Sequence, residues 1–161
     1  WIDLDNIKSP KDDLRIRGRN KGCAIFARGE GIWFADDYVY FTCTSGGKNK
    51  LGQIWRYRHI INSRFEGELE LFFESTNKDI LNMPDNITVS PWGDLIVSED
   101  GKGHDRLIGI KPNGKTYLLA ENIYNKSEFA GAVFSPNGKI LFVNIYKPTM
   151  TIAITGPWNL L

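Results

Sequence analysis

The chain is poor in the residues that build nitrogen and sulfur metal cages. It carries two cysteines, Cys23 and Cys43, and two histidines among 161 residues. There is no CxxC and no paired histidine, so a zinc site of protein nitrogen and sulfur ligands is not expected. The two cysteines suit buried thiols in strands, while a disulfide needs a geometry that spacing does not supply. No apolar run approaches the roughly 20 residues a membrane helix needs, so no membrane span is expected. An excess of charge of one sign is also missing. Twenty Lys and Arg against 19 Asp and Glu leave a formal net charge of +1, which gives no electrostatic footprint for nucleic acid or an anionic membrane. Trp1 to Asp5 lack the basic start and apolar stretch of a secretory signal; such a signal is expected to have been removed or to lie upstream. Long amphipathic helices are absent from the pattern, and Lys78 to Met83 reads as a turn of helix at most.

What is present is a repeat. Asp85-Asn86-Ile87-Thr88-Val89-Ser90-Pro91-Trp92-Gly93-Asp94-Leu95-Ile96-Val97-Ser98-Glu99 and Glu128-Phe129-Ala130-Gly131-Ala132-Val133-Phe134-Ser135-Pro136-Asn137-Gly138-Lys139-Ile140-Leu141-Phe142-Val143-Asn144 share one order. Each runs acid, apolar strand, Ser-Pro-x-Gly turn, second apolar strand, polar residue. The two Ser-Pro turns lie 45 residues apart. A looser copy precedes them, with Glu30-Gly31-Ile32-Trp33, a turn at Asp36-Asp37, and Tyr38 to Thr42. Further β-branched and aromatic runs complete the units: Gly52 to Tyr57 and Glu68 to Phe73, Arg106 to Ile110 and Thr116 to Ala120, then Thr151 to Ile154. Periods of about 40 to 50 residues with four short strands each are the sign of propeller blades. The predicted fold is an all-β propeller of four-stranded antiparallel sheets. About three blades of a ring of typically four to eight are present, with repeats at approximately 22–75, 84–121 and 128–161. Three blades alone expose sheet faces and edges, so the remaining blades are expected from a longer protein or another copy.

In a propeller the inner strands line a central channel. Glu30, Asp85 and Glu128 each stand at or just before an inner strand, and Glu99-Asp100 end a second strand. Carboxylates gathered around an axis repel one another and call for a cation, a proton or an arginine. With the Asn86 and Asn144 amides, the donors are oxygen, which suits Ca²⁺ or Mg²⁺, with Fe³⁺ or Mn²⁺ possible. The competing reading of each acid is a turn cap or a partner for a nearby base. Arg28-Gly29-Glu30-Gly31 reads as a bulge whose glycines permit close backbone approach. There Arg28 either holds Glu30 or meets a substrate anion. Ser45-Gly46-Gly47-Lys48 lacks the spacing of a phosphate loop and reads as an ordinary loop. His104 reads as solvated, and Trp33, Trp55 and Trp92 as packing between blades.

An ordered set of residues carries a resemblance. It comprises Gly22-Cys23-Ala24-x-Phe26-x-Arg28-Gly29-Glu30-Gly31-x-Trp33, Val39-Tyr40-Phe41, Gly52-Gln53-Ile54-Trp55, Pro84-Asp85-Asn86, Glu99-Asp100, Glu128 to Asn144, and Gly156-Pro157-Trp158. In this it resembles the C-terminal half of the PhoX-type alkaline phosphatases. The resemblance implies a six-bladed, exported propeller, hence a periplasmic or extracellular protein. It implies hydrolysis of small phosphate monoesters at an axial cluster of calcium and iron. By motif, Glu30 and Glu128 correspond to cluster ligands, and Asp85, Glu99 and Asp100 match acidic positions of the family. The iron-binding cysteine of such enzymes belongs to an N-terminal element outside this chain, so neither Cys23 nor Cys43 takes that role. Where characterised members carry an arginine shortly before the second glutamate, this chain has Asn125-Lys126-Ser127, leaving Lys126 and Arg28 as candidate phosphate contacts. Tyr146-Lys147-Pro148-Thr149 also departs from the family. Residues 1–161 alone are expected to be inactive. A calcium-dependent lactonase-like hydrolase and a non-catalytic binding propeller are the alternatives.

Overall fold

A computed structural model describes residues 1–63 and 66–160. A short helix, α1 (Leu14–Asn20), precedes eleven strands. The first sheet is β1 (Gly29–Ala35), β2 (Tyr38–Cys43), β3 (Gln53–His59) and β4 (Gly67–Glu74). The second is β5 (Pro84–Val89), β6 (Leu95–Glu99), β7 (Arg106–Ile110) and β8 (Thr116–Glu121). The third is β9 (Phe129–Phe134), β10 (Ile140–Ile145) and β11 (Met150–Thr155). Every sheet pairs its strands in sequential antiparallel order. These are propeller blades, as the repeat predicted. Helix α1 was not read from the sequence: it is short, contains Gly18, and its N-cap Asp13 makes no capping bond. Lys78 to Met83 holds a single turn, closed by bonds to the Asn77 carbonyl from the amides of Ile80 and Leu81. Among the described residues no helix is long and apolar enough to cross a membrane.

Local chemistry makes the hairpins. Asp36 and Asp37 both take positive φ, 50° and 64°, the backbone of a two-residue turn whose twist matches its strands. In the two Ser-Pro-x-Gly turns the serine hydroxyl does the closing. Ser90 Oγ accepts from the Asp94 amide at 2.9 Å and Ser135 Oγ from the Ile140 amide at 3.0 Å. Gly93 and Gly138 supply the left-handed residue that each turn needs.

The middle blade is covered on both faces, so all five residues of β6 are buried. Its side chains alternate between two cores. Leu95 and Val97 join Ile54, Leu81, Ile87, Ile108 and Ile110 against the first blade, with Trp33 and Tyr40 packed on that cluster. Ile96 joins Leu107, Phe129, Leu141, Val143 and Ile145 against the third blade, with Trp92, Phe134 and Trp158 at its edge. The outer face of the first blade, covered in part by Phe26 against Phe41 and Trp55, leaves Ile32 and Phe34 each 67% exposed.

Trp92 ties the second seam together. Its ring lies 5.5 Å from that of Trp158, stacked, and 5.4 Å from Phe134, edge-on. Trp92 Nε1 donates to Asp94 Oδ2 at 3.0 Å, and Tyr117 Oη donates to the same oxygen at 2.9 Å. Trp92→Ala in the complete protein should cost about 3 kcal/mol in denaturant unfolding. Burial, reinforced by Asp94, pushes the Tyr117 phenol up to about 12. Its folded-state value exceeds the unfolded one, so its stabilisation is complete below about pH 10 and is lost as pH rises towards 12. Tyr117→Phe should flatten that alkaline limb of the stability curve.

Candidate functional site

The inner strands β1, β5 and β9 lie side by side, and all three are bulged near the same end. Between Gly29↔Cys43 and Ile32↔Phe41, β1 holds one residue more than β2. The same excess falls between Pro84 and Ile87 on β5, and between Ala130 and Val133 on β9. A bulge bends the strand and re-aims its side chains, and bulges are frequent beside active sites. Glu30 and Asp85 occupy the same place, the first bulged residue of their strands.

The bulges of β1 and β5 are pressed together. A Cβ on Gly31 would come within 2.5 Å of the Asp85 carbonyl oxygen and 2.8 Å of the Ile87 nitrogen. Only glycine permits that approach, so the reading of Arg28–Gly31 as a glycine-dependent bulge holds. Thr42 Oγ1 fastens the contact, accepting from the Gly31 amide at 2.9 Å and donating to the Asp85 carbonyl at 2.6 Å.

Glu128 arrives differently. The last pairings of the three hairpins are the Thr44 amide on the Arg28 carbonyl, the Asp100 amide on the Met83 carbonyl, and the Tyr146 amide on the Glu128 carbonyl. Counted back from the first bulged residue, Arg28 and Met83 are equivalent, two residues before Glu30 and Asp85, whereas Glu128 stands three before Gly131, which fills the bulge where the other blades carry an acid. The three acids thus do not recur at one blade position. Glu128 enters the same region from the strand entrance.

Electrostatics joins four of the five sequence-predicted acids. Burial raises the Asp85 carboxyl above the usual carboxylate range, and Glu30 and Asp100 push it further, against a lowering by Arg28. Burial raises Glu128, helped by Asp100 and Asp85. Arg28 bridges two members, with its guanidinium 3.1 Å from Asp100 Oδ2 and 3.8 Å from Glu30 Oε1. Among the described residues no three acid, histidine or cysteine side chains stand close enough to enclose a metal ion by themselves. The acids face one region without closing around a point.

Glu99 stands apart. It is 2% exposed, and both oxygens are taken: Arg106 donates to each at 2.7 Å, and the Asn82 amide to Oε1 at 2.7 Å. Arg106 also holds the carbonyls of Asp79 and Lys78 at 2.8 and 2.9 Å. As neighbours at a strand end, Glu99 and Asp100 point opposite ways, so Glu99 pins the 78–83 turn while Asp100 faces the acids. Asn144 is also engaged elsewhere, accepting from Thr151 Oγ1 at 2.7 Å. His104 is exposed but bonds the Asn122 carbonyl through Nδ1 at 2.6 Å.

Asp105 was missed. It is 4% exposed and accepts from the Gly101 amide at 2.9 Å. Burial, with Glu99 and Asp100 nearby, pushes it up to about 6. Its position after two loop glycines carried no strand signal. Asp100, Asp105 and Glu128 line a cavity of about 460 Å³ with Lys126, Tyr146 and Lys147. Cys23 and Cys43 are both free thiols, with only Cys43 buried and in a strand; burial pushes Cys43 up to about 11.

Residues 1–149 match the family model described as Alkaline phosphatase PhoX. The chain belongs to this family. Its fold matches a solved structure of Pseudomonas fluorescens PhoX in complex with vanadate, a transition state analogue, with TM-score 0.72 and 20% sequence identity. The match covers 86% of this chain and 35% of that protein, so the chain spans about a third of its length. No curated protein sequence matches.

The buried Glu99–Arg106 pair gives a direct test of the division between structural and site acids. Removing one partner of a buried ion pair strands the other. Arg106→Met should destabilise the complete protein by about 3 kcal/mol in denaturant unfolding, whereas Asp100→Asn should cost under about 1 kcal/mol.

Proposed function

We propose that this chain supplies part of the active site of a metal-dependent phosphomonoesterase. The observation that carries the reading is the convergence of Glu30, Asp85, Asp100 and Glu128 from three blades on one region. Family membership and a fold shared with a protein solved with vanadate support it. The exposed faces bearing Ile32 and Phe34 are suited to packing against further blades, which would come from the rest of a longer, exported protein.

The donor set fits hard cations, calcium and iron in the family-based reading. Asp85 accepts no side-chain hydrogen bond among the described residues and Glu128 meets only the Asp100 carboxyl; burial raises both, with Glu30 and Asp100 adding to Asp85 and with Asp100 and Asp85 adding to Glu128. A cation relieves both penalties. Glu30, Asp85, Asp100 and Glu128 would hold the metal, with Asp105 behind them. Glu99, enclosed by Arg106 and Asn82, serves the scaffold. A bound metal would stabilise charge on the phosphoryl oxygens and activate an oxygen nucleophile.

The chain's own residues do the rest. Arg28 lies between Glu30 and Asp100 with a fork of donors, the geometry that suits phosphoryl oxygens. Its salt links keep the guanidinium at the acids before substrate arrives. Lys126 lines the adjoining cavity and is the second candidate cation for substrate.

The complete protein should hydrolyse an aryl phosphate and lose that activity on chelation. Glu30→Gln or Glu128→Gln should lower kcat/KM at least about a hundredfold while shifting the unfolding midpoint little. A metal-loaded, folded protein inert towards a panel of phosphate monoesters but active on lactones would replace this reading.

A further inference from the structure

The cavity beside the acids is lined by both signs of charge: Asp100, Asp105 and Glu128 share it with Lys126, Tyr146 and Lys147. Neither lysine has a carboxylate within 4 Å among the described residues. The acids therefore leave both ammonium groups free for another anion. Lys147 Nζ lies 5.3 Å from the centre of the Tyr146 ring.

The backbone carrying these lysines is held in place by side chains. Asn122, 3% exposed, donates through Nδ2 to the Ser127 carbonyl at 2.7 Å and to Asn125 Oδ1 at 2.9 Å. Its Oδ1 accepts from the amides of Tyr124 and Asn125. Two bonds then tie this loop to the other: Asn125 Nδ2 donates to the Lys147 carbonyl at 2.8 Å, and the Lys147 amide donates to Ser127 Oγ at 2.7 Å. Lys126 and Lys147 therefore rise from one stapled lip. A lip already ordered before binding spares part of the entropy cost of association.

We propose that this lip is a leaving-group subsite, selecting phosphate esters whose alcohol carries a second anionic group. The proposal rests on the phosphomonoesterase reading and divides the cations of the site. Arg28, fixed among the acids, takes the transferred phosphoryl group. Lys126 and Lys147, compact charges on flexible stems, take a carboxylate or phosphate on the departing alcohol without demanding one geometry. The cavity volume lies within the range of small-molecule sites. A neutral alcohol leaves the lysines to water, and a cationic one is repelled.

The test compares 3-phosphoglycerate with glycerol 3-phosphate, which differ in the anionic group of the alcohol. The complete protein should show a higher kcat/KM for 3-phosphoglycerate, a preference that weakens with added salt. Lys126→Gln with Lys147→Gln should cut the ratio of the two kcat/KM values at least about fivefold, and Lys126→Arg with Lys147→Arg should retain it. An unchanged ratio, or an equal fall for both substrates, overturns the subsite. If neither ester is hydrolysed, the phosphomonoesterase reading fails on its own, and calorimetric binding of 3-phosphonopropionate against propylphosphonate decides the subsite. Tighter binding of the carboxylated phosphonate, lost in the glutamine variant, supports the lip; equal binding overturns it.

Discussion

Thr42 joins the backbones of two inner strands through one hydroxyl, with Gly31 pressed bare against β5 beside it. The acidic region depends on this contact. It sets how near Glu30 comes to Asp85, and through the bulges it decides which way both carboxylates face. Any side chain at position 31 would strike the backbone of β5, pushing the first blade off the second. The core of Ile54, Leu81, Ile87 and their neighbours presses the sheets together elsewhere along the seam. At the acidic end, where carboxylates resist approach, the glycine and the hydroxyl hold them.

That resistance is the cost of the site. Asp85 and Glu128 each lose water and face other acids, and both hold their protons more tightly than a free carboxyl. Arg28 offsets part of the repulsion through Asp100 and Glu30. The fold keeps these groups while giving Glu99, a residue away, a complete shell of donors. Asp85, without a side-chain partner beside a fully satisfied Glu99, supports the proposed division between site and structural acids.

Much of this was legible in the sequence because it follows from local rules. The Ser-Pro-x-Gly turns, the alternating apolar runs and Trp33 and Trp92 at the blade seams each have a short-range cause, whereas Trp55 packs on Phe26 instead of at a seam. The gathering of Glu30, Asp85, Asp100 and Glu128 was legible as well, since all four lie at ends of inner or second strands. Side-chain direction was not. Glu99 and Asp100 are adjacent and chemically alike, and only the partnership with Arg106, seven residues on and in another strand, separates them. The offset of Glu128 from the bulged position that holds Glu30 and Asp85 depends on bulges that add a residue to one strand without a mark in composition. Asp105 lies in a loop whose path is set by its neighbours, and the stapling of Asn125 and Ser127 to Lys147 crosses between loops 20 or more residues apart.

Glu30, Asp85, Asp100 and Glu128 are proposed to face a common metal site. The most direct measurement is anomalous diffraction from crystals of the complete protein, recorded at wavelengths that distinguish iron from calcium. The expected result is anomalous density within coordination distance of oxygens from at least three of these four acids, with none at Glu99. Metal found only away from them, or ligated by Glu99 in place of Arg106, would contradict it.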